Sequence, residues 1–246
     1  MIRWTYAFID RPADVFTEAA SFWSRVTGTH LTARRGEHGE FATLLPIGAD
    51  ECVKLQAVNE GGGAHLDLSV DDPAALAARA VELGATHVAD LGYQVLRSPG
   101  GLLFCAVPWH DEFRRPMAHT TPDGALSRLD QVCIDVGPAA YDAEVAFWGE
   151  LTGWDSSFGS RPEFHVVAPP PELPVRILLQ RLQQERPTSA HLDLACSDVE
   201  GVRAWHVKCG ATHVADGARW VVMSDPAGGV YCLTARDPQT GGLSGK

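Results

Sequence analysis

The stretch "AHLDL" stands at residues 64–68 and again at 190–194, and each copy is followed by "GATHVAD", at 84–90 and 210–216. Both pairs are 126 residues apart. Working outward, "FIDRPADVFTEAASFWSRVTG" (8–28) lies over "CIDVGPAAYDAEVAFWGELTG" (133–153), matching Phe22-Trp23 with Phe147-Trp148 and Thr27-Gly28 with Thr152-Gly153. Pro99 and Cys105 find their counterparts at Pro226 and Cys232. Ordered self-similarity at one long period marks duplication of a whole domain. The copies are placed at 1–112 and 127–238, with a polar linker at 113–126 and a tail at 239–246.

Each copy has an inner rhythm. "DQVCIDV" alternates as a strand. Residues 139–151 carry apolar side chains at helical spacing up to Gly153. Short strands follow near 154–158, 163–168 and 175–182. The order then repeats: a strand at "AHLDLAC", a helix over 198–209, and strands at 212–216, 219–224 and 229–234. That is a βαβββ module written twice per copy and four times in the chain, an α+β class of mixed sheets with the helices on the outer face. Asp71, Asp72 and Asp198 stand where helices begin and read as caps. "EGGGA" (60–64) and "PGG" (99–101) read as turns.

The totals narrow the function. A net charge of −11 excludes a nucleic-acid or anionic-membrane surface as the expected partner. No apolar run approaches the roughly 20 residues of a membrane span. The opening residues show no signal-peptide pattern, so a cytoplasmic setting is expected. The six cysteines lack any CxxC and sit mostly in apolar surroundings, which reads as reduced, buried thiols.

The strand "LDQVCIDV", the strand and helix "AHLDLACSDVEGVRAWHVKCGAT", and the closing hairpin "WVVMSDPAGGVYCL" together resemble the vicinal oxygen chelate superfamily, which includes glyoxalase I, extradiol dioxygenases and bleomycin-resistance proteins. The resemblance covers nearly the whole chain as two tandem domains, though "RSPGGLLFCAV" in the first copy lacks the Asp before Pro99. It implies that each domain curves its sheet around a cavity. There the first, fourth, fifth and eighth strands supply His or Gln, a carboxylate or other ligand, His, and Glu to a divalent metal.

Alternation along a strand places His191 and Asp193 on the cavity face of "HLDL", with the leucines behind. Gln131, Cys133 and Asp135 share that face on the first strand, and Gln180 is assigned to it on the fourth. The eighth-strand Glu position falls on Cys232. The first copy offers Tyr6, Gln56, His65 with Asp67, and Cys105. A thiol in place of the acid is poor for cations that want oxygen ligands or a His₂–carboxylate set. The chelate reads as lost, and no cofactor is expected. The alternative is a divalent metal on Gln131, Gln180 and His191.

Two readings of the repeated His stay open: a structural imidazole satisfied by the Asp two residues on, or a general base or ligand partner poised by that Asp. Trp23 and Trp148 read as core, Cys105 and Cys232 as small apolar residues, and His87 and His213 as surface or packing residues. Tyr6, Phe8 and Trp220, with Gln56, His65, Asp67, Gln131, Gln180, His191 and Cys232, are the candidate ligand-binding set. An aromatic-walled concavity with few polar groups suits a small organic molecule.

The favoured expectation is therefore a glyoxalase/bleomycin-resistance-like protein that binds a small, partly apolar ligand without a metal. The two domains would pair as an intramolecular pseudo-dimer, with homodimerisation of whole chains left open. The rival is an isomerase, lyase or ring-modifying enzyme of the same superfamily. It would use the second domain's metal, or His191 and Asp193 as an acid–base pair.

Overall fold

A computed structural model describes residues 1–59 and 62–243, so the first two residues of the "EGGGA" turn and the end of the tail lie outside it. The first copy runs β1 (Ile2–Pro12), α1 (Phe16–Thr27), β2 (His30–Leu31), β3 (Phe41–Leu45) and β4 (Val53–Val58). It continues with β5 (Gly63–Val70), α2 (Pro73–Glu82), β6 (Thr86–Asp90), β7 (Gln94–Arg97) and β8 (Leu103–Pro108). A two-residue strand, β9 (His119–Thr120), stands between the copies. The second copy runs β10 (Leu126–Val136), α3 (Tyr141–Thr152), β11 (Asp155–Phe158), β12 (Phe164–Ala168) and β13 (Arg176–Arg181). It closes with β14 (Ser189–Cys196), α4 (Val199–Lys208), β15 (Thr212–Asp216), β16 (Trp220–Ser224) and β17 (Val230–Thr234).

The order βαβββ thus appears four times, and each copy builds one mixed sheet. The first follows β2-β3-β4-β1-β5-β8-β7-β6; the second follows β11-β12-β13-β10-β14-β17-β16-β15, with β9 against β10. The pairs β5–β8 and β14–β17 are parallel, whereas the hairpins beside them are antiparallel. The opening strand of the second copy starts earlier than alternation suggested, because Leu126 pairs with Thr120 and Ser127 with His119.

Helix ends follow their local chemistry. α1 and α3 stop at Gly28 and Gly153, whose φ of 65° and 66° are left-handed and cheap only for glycine. Asp72 caps α2 by accepting from the Ala75 N–H, and Asp198 caps α4 by accepting from the Glu200 N–H. Asp71 is not a cap. Its carboxylate takes the Arg3 guanidinium at 2.9 Å instead.

Packing divides the chain into two compact units, Met1–Ala7 with Ala64–Arg114 and Val132–Ala190, and Phe8–Gly63 with Arg115–Gln131 and His191–Lys246. Each unit draws segments from both copies. In the first, Phe104 of β8 meets Phe147 and Trp148 of α3, with ring centroids 5.8 and 5.0 Å apart. In the second, Phe22 and Trp23 of α1 meet Tyr231 of β17, at 5.9 and 5.1 Å. Tilted and edge-on aromatic pairs of this kind add roughly 0.5–1.5 kcal/mol beyond the area they bury.

The same two places show how a missing carboxylate is replaced. Asp225, in the closing turn of the second copy, accepts from the Trp23 indole at 2.9 Å and from Arg11 at 2.7 Å. The first copy has Ser98 at that turn position. There Glu144 of α3, fully buried, accepts from the Trp148 indole at 2.7 Å and from the Gly100 N–H. A carboxylate reaches each indole, once from a turn and once from a helix.

Candidate functional site

In the first compact unit the parallel register of β5 and β8 sets Asp67 opposite Cys105. His65, two residues before Asp67, shares its face, and its Nε2 lies 3.6 Å from Asp67 Oδ1. That distance suits an ion-pair contact but is too long for a hydrogen bond. One donor atom each from His65, Asp67 and Cys105 falls within a 4.8 Å cluster. Tyr6 is buried, and its hydroxyl donates to Glu112. The other Glu112 oxygen accepts from the His110 N–H at 3.0 Å, and the Glu112 carbonyl accepts from the Trp109 indole at 3.1 Å.

Sequence reasoning missed Glu112. It lies beyond the last strand, and only a long-range contact brings it to Tyr6; the acidic pair in "WHDE" was the sole hint. Phe8 and Gln56 belong to the second compact unit. Phe8 makes an edge-on contact with Phe41 at 6.4 Å, and Gln56 is the register partner of Phe41 across β3 and β4.

In the second compact unit the register recurs, with Asp193 of β14 opposite Cys232 of β17. The Gln131 amide donates to Asp193 Oδ2. Asp193 Oδ1 lies 3.4 Å from His191 Nε2, outside hydrogen-bonding geometry. Among the described residues, Asp193 Oδ1 and Gln131 Oε1 are buried acceptors with no hydrogen-bond partner. Such atoms are costly to bury unless something donates to them, at roughly 1–3 kcal/mol each and more for a charged group.

The strand phase of Trp220 follows from register. Val222 pairs with Cys232 and Trp220 with Thr234, so Trp220 and Val222 share the face that carries Cys232. The Trp220 indole itself lies over Gly217 in the turn that precedes the strand. Gln180 belongs to the first unit, where its Oε1 accepts from the Cys133 thiol at 3.8 Å.

A family model described as a glyoxalase-like domain matches residues 6–107 and 131–234. The chain belongs to the glyoxalase-like domain family. No curated protein matches it. Among solved structures it is similar to the 2,2',3-trihydroxybiphenyl 1,2-dioxygenase from Sphingomonas wittichii strain RW1, at 17% identity and a TM-score of 0.63, covering 93% of this chain and 88% of that one. It is likewise similar to the 2,3-dioxygenase LapB from Pseudomonas sp. KL28, at 14% identity and a TM-score of 0.64, covering 93% and 90%. Homoprotocatechuate 2,3-dioxygenase from Arthrobacter globiformis gives 14% identity and a TM-score of 0.60, covering 93% and 78%. At such identities the likeness is one of fold alone.

Whether this family member suits the superfamily's divalent metal depends on the donors present. In the second unit Gln131 turns its amide N–H toward Asp193, a single imidazole is at hand, and Cys232 stands opposite Asp193 where the resemblance puts an acid. A carboxylate held by a neighbouring amide, one imidazole and a thiol match neither the oxygen-rich shells of Mg²⁺ and Mn²⁺ nor the His₂–carboxylate set of non-haem iron. The set fits neither of these two classes of metal.

Proposed function

We propose that this glyoxalase-like chain binds a small, partly apolar organic molecule that offers hydrogen-bond donors, an amine or a hydroxyl, to Gln131 and Asp193. The observation that carries the reading is the pair of buried acceptors, Asp193 Oδ1 and Gln131 Oε1, without a partner among the described residues. A ligand N–H or O–H satisfies both, while Val222, the register partner of Cys232, supplies apolar surface on the neighbouring strand face. The net charge of −11 favours a neutral or cationic ligand in the same direction. Binding proceeds without the superfamily's metal. Both compact units draw on both copies, which supports an internal pseudo-dimer.

A second reading rests on His191. An imidazolium formed there would lie 3.4 Å from a carboxylate, the arrangement of an acid–base pair. A ligand whose donor group sits on Asp193 would place its neighbouring atoms near that imidazole, so binding and proton transfer would use the same three residues.

Thermal shift tests the binding reading. Apolar amines and alcohols are compared with their methyl-capped analogues on the wild type and on Asp193→Asn. A ligand at about 100-fold its Kd adds ~2.7 kcal/mol to stability. Shifts are expected with the donor-bearing compounds and not with the capped ones, and they shrink in the variant. Equal shifts with capped analogues, or an unchanged response in the variant, would overturn the reading.

A further inference from the structure

We infer that a second cleft, lined by the end of α1, the β3–β4 pair and the start of β10, binds a short aliphatic carboxylate with its anionic head on Ser127 and Arg128. The cleft lies wholly within the second compact unit. It holds about 470 Å³ of empty space, its open mouth included, and Val26, Leu44, Val53 and Leu194 wall it. The inference goes beyond the ligand proposed at Gln131 and Asp193 and does not rest on it.

Strand phase separates this cleft from the first copy's sheet cavity. Leu44 and Val53 are register partners, and so are Phe41 and Gln56. Three residues apart along each strand, the two pairs point to opposite faces of the sheet. With Gln56 assigned to the cavity face, Leu44 and Val53 look the other way, toward the helix side. Val26, in the last turn of α1, lines the cleft with them, and all three are buried. Apolar walls of this kind suit an alkyl chain, and the size of the cleft keeps that chain short.

The polar end points to the head group. Ser127 lines the cleft at 1% exposure, and its Oγ has no hydrogen-bond partner among the described residues. A hydroxyl buried in that state is costly until a ligand pairs with it. Arg128, beside it in the lining, is 8% exposed and keeps its charge at any working pH. It also donates to the Gln239 carbonyl at 3.3 Å. Burial pushes the Cys52 thiol in the same lining up to about 12, while Arg128 and Arg115 act on it in the opposite sense. Two guanidinium charges therefore stand near this wall. Of the acids around them, Glu51 also acts on Cys52, and Asp130 pairs with Arg236 at 3.1 Å. A carboxylate accepts the Ser127 O–H and a charge-assisted N–H from Arg128. The overall charge of −11 does not decide the matter, because exposed charges beyond roughly 8 Å are largely screened at physiological salt.

The test titrates hexanoate into the full chain at neutral pH and follows the methyl groups of its three methionines by NMR. Met117 lines the cleft and is 75% exposed, whereas Met223 is buried in β16. Saturable movement of the Met117 methyl is expected, with Met1 and Met223 unmoved. By calorimetry, 1-hexanol, which has the same tail without the charge, should bind at least ~10-fold more weakly. Ser127→Ala should weaken hexanoate by about 10-fold, and because it removes an unsatisfied hydroxyl it should leave the unliganded chain no less stable. Met117→Glu, a change at an exposed position, sets a like charge at the mouth and should weaken binding as well. Hexanoate that leaves Met117 unmoved, 1-hexanol bound as tightly, or an unchanged Kd in Ser127→Ala would each overturn the proposal.

Discussion

The amide of Gln131 donates to one carboxylate oxygen of Asp193, while the other oxygen faces His191 at 3.4 Å. A first-strand amide thereby holds the carboxylate of a later strand in place. Replacing it leaves a buried charge short of a donor, at a cost of roughly 1–3 kcal/mol. Gln131→Ala is therefore expected to lose about that much stability in urea unfolding, with an unchanged m-value. A change under ~0.5 kcal/mol would mean that the carboxylate finds another donor.

Asp225 is a buried carboxylate with several donors. It takes two guanidinium contacts from Arg11, the Trp23 indole, and the N–H groups of Ala227 and Gly229. The Arg11 and Asp225 side chains are only 3% and 0% exposed. Removing one partner of a buried pair strands the other charge, typically at ~3–5 kcal/mol. Asp225→Ala should unfold at markedly lower denaturant, and an Arg11→Met, Asp225→Leu double variant should recover part of the loss. A single variant within ~1 kcal/mol of wild type would contradict this.

His206 gives a pH signature. Burial pushes its imidazole down from 6.5 to about 3, and its Nδ1 lies 2.8 Å from the Tyr231 hydroxyl. Between those values the unfolded chain binds a proton that the folded chain refuses, so stability rises with pH from about 3 to 6.5 and is lost on acidification. The contribution is at most ~1.4 kcal/mol per pH unit. Unfolding free energies of the wild type and His206→Gln across that window should differ in slope, the variant being flatter. Parallel curves would show that His206 titrates alike in both states.

Much of this was legible in the residues. The βαβββ order could be read because it is written four times, and "HLDL" revealed its phase because leucines must face the core. Other features depend on register between distant strands, which no local pattern carries. The pairing of Asp67 with Cys105 across parallel strands is one; it returns a carboxylate to a site whose expected acid is a thiol. The face of Trp220 is another, decided by its pairing with Thr234. Glu112 meets Tyr6 only through the chain's return after β8. Ser98 looked like a weakened turn because Glu144, which supplies the carboxylate there, comes from a helix in the other copy.

The most direct measurement of the central claim is calorimetric titration of a donor-bearing apolar ligand, chosen from the thermal-shift panel, with and without excess EDTA. Metal-independent binding through Gln131 and Asp193 predicts the same Kd in both conditions and at least ~10-fold weaker binding in Asp193→Asn, a loss of about 1.4 kcal/mol. Binding that vanishes in EDTA and returns on adding Fe²⁺ or Mn²⁺ would contradict it.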